Sequence, residues 1–203
     1  MTDHPKFARA DHDILDLIRQ RWSPRAFDPQ RQVDDADLRR LFEAARWSPS
    51  SGNEQPWRFV VTSRAATPDA YTALLASTTP KNQSWAGEAP VLILVAVRLT
   101  TERTDTVNSH AWYDTGQAVS FLTLQATSLG LSVRQMQGFS PAAARAACAV
   151  PAPYEAAVVM AVGYAGDPER LAIDAHKAAE LQPRQRRPVN EFVFVGTWGE
   201  RLP

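Results

Sequence analysis

Val91-Leu92-Ile93-Leu94-Val95-Ala96-Val97, entered through Pro90, is a run of seven apolar residues with no polar side chain on either face. A strand half exposed to water alternates in polarity. One that is apolar throughout belongs in the middle of a sheet covered on both sides. Outward from it, Trp57–Ser63, Leu131–Met136, Ala156–Tyr164 and Glu191–Val195 read as further strands. Helices fall between them. Asp13 can cap a short one bearing Ile14, Leu15, Leu17 and Ile18, which must stop near Trp22 because Pro24 disfavours helical geometry at Ser23. Asp34 can cap the next, with Val33 stapled onto Leu38, and Leu38, Leu41, Phe42 and Ala45 at helical spacing. Asp69–Ser77, Pro141–Ala149 and Asp174–Leu181 complete the short helices, while 78–90 (with Trp85) and 99–111 read as loops. This alternation leaves α/β and α+β open, with helices on both faces of one sheet. Residues 1–12 read as a flexible arm and 13–203 as a single domain with a C-terminal extension.

The long helix is Tyr113–Leu129, ended by Gly130. It is apolar nearly all round, with Val119, Leu122, Ala126 and Leu129 on one side and Ala118, Phe121 and Leu124 on another. An ordinary surface helix does not look like this, so burial against a second subunit is expected. Residues 115–133 carry no charge over 19 positions, but eight of these are Thr, Gln or Ser, too polar for lipid.

Composition narrows the function. Basic and acidic side chains balance at 22 each, which argues against a protein living on nucleic-acid phosphates. The single cysteine, Cys148, excludes an internal disulfide and a multi-cysteine zinc site. The N-terminus lacks the apolar stretch of a secretory signal, so a cytoplasmic protein without membrane contact is expected. Glycine fingerprints for dinucleotides or triphosphates and a Gly-x-Ser-x-Gly elbow are missing. The four histidines lack metal-ligand spacing, so no metal site is expected.

Four segments remain. Arg21-Trp22-Ser23-Pro24-Arg25-Ala26-Phe27 places two arginines four residues apart at a helix end. Arginine forks suit phosphate and carbonyl groups; a plain dipole role would explain Arg21 but not Ser23 with Arg25. In Pro49-Ser50-Ser51-Gly52-Asn53-Glu54-Gln55-Pro56-Trp57, turn formers alternate with amides that can read a heterocycle edge, or simply form a plugged loop. Gln135-Met136-Gln137-Gly138-Phe139 ends a strand with a glycine that lets a backbone N–H come close to a ligand. Arg184-Gln185-Arg186-Arg187-Pro188 is a second basic cluster. Together they suit one ligand, anionic at one end and flat and polar at the other.

In this order, and with Tyr113-Asp-Thr-Gly, Leu-x-x-Gln-Ala-x-x-Leu-Gly-Leu131 and Val-x-Gly-Tyr164, these motifs resemble the nitroreductase family of flavoproteins over residues 13–195. The resemblance implies an α+β three-layer sandwich, a mostly antiparallel sheet flanked by helices, in an intertwined homodimer with two FMN sites. It assigns Arg21, Trp22, Ser23, Arg25, Arg184 and Arg186 (or Arg187) to the cofactor's phosphate, ribityl and pyrimidine side. Trp22 replaces a residue commonly polar or basic and is expected to pack. Pro49, Ser50, Ser51, Asn53 and Gln55 would come from the other subunit. Gln135, Gln137 and Gly138 would line the reactive ring edge, with the Gly138 amide facing N5 and Gln137 standing where several members carry Glu. Trp85, His110, Trp112, Tyr113 and Phe139 are candidate walls of the substrate pocket. The implied activity is ping-pong hydride transfer from NADH or NADPH to a nitroaromatic, quinone or other small acceptor. A specialised reaction on the same fold and a flavin-binding module without catalysis stay open at this point.

Overall fold

The computed structural model describes residues 4–202, so Met1–Asp3 and Pro203 lie outside the account. Four strands, β1 (Trp57–Ser63), β2 (Val91–Arg98), β3 (Ser132–Met136) and β4 (Tyr154–Gly163), form one sheet in the order β1-β2-β4-β3. Every pairing is antiparallel, with Trp57 opposite Val97, Ile93 opposite Met160 and Gln135 opposite Met160. The seven-residue apolar run is therefore central, and Leu92–Val95 have no exposed surface at all.

The described residues hold seven helices, α1 (Asp16–Gln20), α2 (Asp35–Arg46), α3 (Pro68–Ala76), α4 (Pro80–Ala86), α5 (Ala111–Ser128), α6 (Pro141–Ala147) and α7 (Asp174–Leu181), of which α2 and α5 pack on one face of the sheet and α3, α4 and α6 on the other. Alternate residues of β2 feed different cores. Leu92 and Leu94 pack with Tyr71, Leu74, Trp85 and Ala144 from α3, α4 and α6. Val91, Ile93 and Val95 pack with Leu41 and Ala45 of α2 and with Ala118, Leu122 and Ala126 of α5. The expected α+β three-layer sandwich is what the chain forms.

Some expectations need correction. Segment 80–86 is a helix rather than a loop. Pro80 opens it instead of breaking it, because the first helical N–H has no partner to lose. Helix α1 starts at Asp16, two residues later than the Asp13 cap implied, and Asp34 caps α2 by position without a side-chain bond. Glu191–Val195 does not join the sheet. A tight turn at Val189–Glu191 and an isolated Phe194–Arg201 bridge fold the extension on itself, with Gly196 and Gly199 at φ of +77° and +98°.

The charge-free helix α5 buries one side on its own sheet and leaves the other bare. Trp112, Tyr113 and Phe121 stay 52%, 69% and 43% exposed. Gly116 lies on the same bare side, and a methyl group there would meet nothing in this chain.

Candidate functional site

The Arg21–Phe27 segment leaves α1 and is pinned by its apolar end. Phe27 is 2% exposed and stacks on Trp85 at 6.4 Å. Asp28 N–H donates to Tyr164 O and Gly166 N–H to Ala26 O, both at 2.9 Å. A Cβ on Gly166 would stand 2.5 Å from Phe27 backbone atoms, so only glycine admits this crossing. With Phe27 fixed, Arg21, Ser23 and Arg25 hang over the rim of the sheet.

What gathers around them is cationic. Arg184 donates from its guanidinium to the carbonyls of Arg19 and Arg21, and its buried Nε has no acceptor among the described residues. Arg134 of β3 donates to Ser23 O and lies 5.2 Å over the Trp85 ring. Lys6 donates to Ala179 O and sits 5.7 Å over Trp22, which also stacks on His4. The Glu180 carboxylate takes the Arg25 N–H on both oxygens at 3.1 Å, with the Arg25 guanidinium 3.8 Å away. Six cationic side chains, Lys6, Arg21, Arg25, Arg134, Arg184 and Arg186, thus face one carboxylate around a cavity of ≈ 200 Å³.

The electrostatic cost shows in Lys6, Arg21, Arg134 and Arg184. Burial, then Arg25, pushes Arg134 down to about 10, against the pull of Glu180. Burial lowers Lys6 most, and Arg184, Arg25 and Arg134 add to this while Glu180 opposes. Burial lowers Arg21 most, followed by Arg186; burial also lowers Arg184 most, followed by Arg21 and then Arg186. Burial does most to loosen these protons and the neighbouring cations add repulsion, both of which a bound anion would relieve.

The second feature is Gly138, just beyond β3. Its carbonyl accepts from Thr79 N–H at 2.9 Å and from Asn82 Nδ2 at 3.0 Å. A Cβ there would lie 2.9 Å from Asn82 Nδ2 and 3.0 Å from Thr79 Oγ1. The helix missed in the sequence, α4, is thus what seats this turn. Gly138 N–H has no acceptor among the described residues, and Gln135 and Gln137 are exposed beside it.

The third is the 49–55 loop. Asp114, 2% exposed in the first turn of α5, accepts from Ser51 N–H at 3.0 Å. Ser50 Oγ accepts from Gln55 N–H at 3.1 Å. Asn53 and Gln55 hold φ of +57° and +46°, a left-handed strain for side-chain-bearing residues that this bonding sustains. Asn53 and Gln55 line a cavity of ≈ 510 Å³ with Arg58, Glu102 and Arg103, separate from the arginine cavity.

Of the residues named from sequence, Arg21, Trp22, Ser23, Arg25, Arg184 and Arg186 meet in one cavity. Arg187 does not; it lines a neighbouring one. Lys6, Arg134 and Glu180 were not singled out in the sequence, and Asp114 appeared there only inside the Tyr113-Asp-Thr-Gly motif, with no role. A signal existed for one of them, since Arg134 is the sole charge between Asp114 and Arg145. Trp85 is not a pocket wall: at 2% exposure it is a core residue against Phe27. Phe139 is half buried against the same core. His110 and Trp112 are exposed at the start of α5. No group of acidic, histidine or cysteine side chains among the described residues could hold a metal, and no described helix is long and apolar enough to cross a membrane.

The chain is similar to known proteins in sequence and in fold. It is 33% identical over 94 residues to the major NAD(P)H-flavin oxidoreductase of Aliivibrio fischeri, covering 46% of this chain and 43% of that protein. An oxidoreductase structure described as containing FMN superposes with a TM-score of 0.88 at 27% identity, over 95% of this chain and 96% of that one. A Desulfovibrio desulfuricans structure solved in complex with FMN gives 0.66 at 26% identity, over 96% and 100%. The nitroreductase family model matches residues 18–164, and with that match the chain belongs to the nitroreductase family.

Proposed function

We propose that this chain is an FMN-dependent oxidoreductase that passes hydride from NADH or NADPH to a nitroaromatic, quinone or related small acceptor. The observation that carries the reading is the cavity where six cations face one carboxylate. A phosphate monoester fits that charge and the open Nε of Arg184. Arg21, Ser23, Arg25, Arg184 and Arg186 would hold the phosphate and ribityl end. The unpartnered N–H of Gly138, on a turn that Thr79 and Asn82 hold by its carbonyl, would face the ring. When bound, the flavin supplies a two-electron centre that accepts and returns hydride.

The chain's own residues do the rest. Cations near the cofactor stabilise added negative charge most strongly where water is excluded. Gln137, neutral and exposed, leaves the ring edge without a local anion. One open site would serve both substrates in turn, giving ping-pong kinetics and explaining why no dinucleotide fingerprint is needed. The 49–55 loop stands apart from the arginine cavity, and α5 carries bare Trp112, Tyr113, Phe121 and Gly116. Both facts support a homodimer with two sites, in which that loop from one subunit completes the cavity of the other.

Anaerobic mixing with NADPH tests the reading. A yellow protein should bleach rapidly and recover colour when a quinone or nitroaromatic is added. Slow bleaching that the acceptor does not reverse would count against catalysis, and a colourless protein that ignores FMN would end the reading. Sedimentation as a single chain would remove the dimer.

A further inference from the structure

The arm ahead of α1 carries a group to which the flavin reading gives no task. Lys6 is 8% exposed and forms part of the wall of the ≈ 200 Å³ arginine cavity. Its Nζ donates to Ala179 O of α7 and to no other acceptor among the described residues, so two of its three protons are unpaired. Burial works most against the Lys6 charge; Glu180 favours it, and Arg184, Arg25 and Arg134 oppose it. A lysine that merely propped α7 against Trp22 would gain nothing from such a setting. Arg134, by contrast, is engaged in the fold, donating to Ser23 O and lying over the Trp85 ring.

The segment that carries Lys6 belongs to no helix or strand and is tied down at a few points. Ala8 N–H donates to Arg19 O at 2.8 Å, the Arg19 guanidinium lies 4.4 Å over the Phe7 ring, and His4 packs on Trp22 at 5.4 Å. Arg19 O also accepts from Arg184, so the arm and a cavity arginine meet on one carbonyl. Ties this few can open locally while the sheet and its helices stay folded. An anion held in part by Lys6 leaves only when the arm lifts or that contact breaks, and such contacts act mainly on the rate of release. We propose that Lys6 is a direct ligand of the anion in the arginine cavity, delivered by the 4–9 arm, which closes over the bound group and slows its departure. With the FMN phosphate as that anion, the proposal rests on the flavin reading above and adds to it a residue that lies ahead of the segment shared with the family.

The test follows FMN leaving the loaded, full-length protein, read from the fluorescence of freed flavin after dilution. Lys6→Met keeps the apolar stem over Trp22 and removes the charge, and should release FMN about tenfold faster, the effect of losing one charge-assisted contact. Lys6→Arg should bring release back near the wild-type rate. Phe7→Ala loosens the arm without altering a wall of the cavity, and should also speed release. Melting in chloride and in inorganic phosphate supplies a readout without flavin: phosphate should raise Lys6→Met less than wild type. If Lys6→Met binds FMN and releases it at the wild-type rate, the proposal is overturned and the flavin reading stands, whether or not the ligand-free variant melts lower. Unchanged release from Phe7→Ala would overturn the role of the arm. A protein that ignores FMN but is stabilised by phosphate, and less so as Lys6→Met, would end the flavin reading and uphold Lys6 as an anion ligand. Indifference to both FMN and phosphate would overturn both.

Discussion

Among the described residues Glu180 is the one anion in a cavity of six cations, and replacing it by glutamine isolates that balance. The Glu180 side chain is 2% exposed and that of its partner Arg25 22%. Breaking a fully buried pair costs about 3–5 kcal/mol, because the surviving charge is left without compensation. Here the guanidinium is part-solvated and the cavity is open, which brings the expected loss to about 2–3 kcal/mol. Glutamine keeps one carbonyl oxygen for the Arg25 N–H, so the loss falls on charge rather than on that bond. For a chain of this size each kcal/mol moves Tm by about 2–4 °C, so ligand-free Glu180→Gln should melt roughly 5–10 °C below wild type. Inorganic phosphate should raise the variant more than wild type, because without the Glu180 carboxylate nothing in the cavity repels the anion and the six cations bind it more tightly; a ligand at about 100 times its Kd returns about 2.7 kcal/mol. Calorimetry in chloride and in phosphate reads both effects. The reasoning fails if the variant melts with wild type in chloride, or if phosphate raises both proteins equally.

Three other perturbations follow from the same geometry. Gly138→Ala forces Asn82 or Thr79 aside and should cost about 1–3 kcal/mol by thermal unfolding; in an Asn82→Ala background the added cost should be smaller, and a purely additive cycle would contradict the packing. Gln137→Glu puts a negative charge beside the proposed ring edge and should lower the bound flavin's potential, by roughly 20 mV for about 1 kcal/mol in a two-electron couple; a redox titration showing an unchanged or higher potential would contradict it. Burial, with Arg25, Lys81 and Arg134 adding to it, holds His176 below its ordinary 6.5. The unfolded chain therefore gains a proton first as pH falls, so the His176 contribution is whole above about pH 6.5 and is lost below it. Denaturant titrations at about pH 7 and about pH 5 should show wild type losing more stability than His176→Gln.

The sheet was legible because its signal is local. Seven apolar residues in a row can only be a strand buried on both faces, and β1 and α7 fall where pattern alone places them. Helix α4 was hidden because Pro80 and a polar composition look like a loop until Trp85 is seen to anchor it. The 191–195 segment has strand composition but pairs with neither edge strand of the sheet, and composition does not report partners. The arginines at Arg21 and Arg184 announced themselves as clusters. Lys6, Arg134 and Glu180 are single charges in unrelated segments, and only folding brings them together.

Arg184 reaches back across 163 residues to the carbonyl of Arg21, so the two ends of the polypeptide are tied through one side chain. The N-terminal hook cannot peel away without releasing the tail, and the tail cannot fray without loosening the hook. An anion lodged between them acts as a clasp on that knotless belt. Proteolysis from either terminus would then report how full the site is, long before any electron is counted.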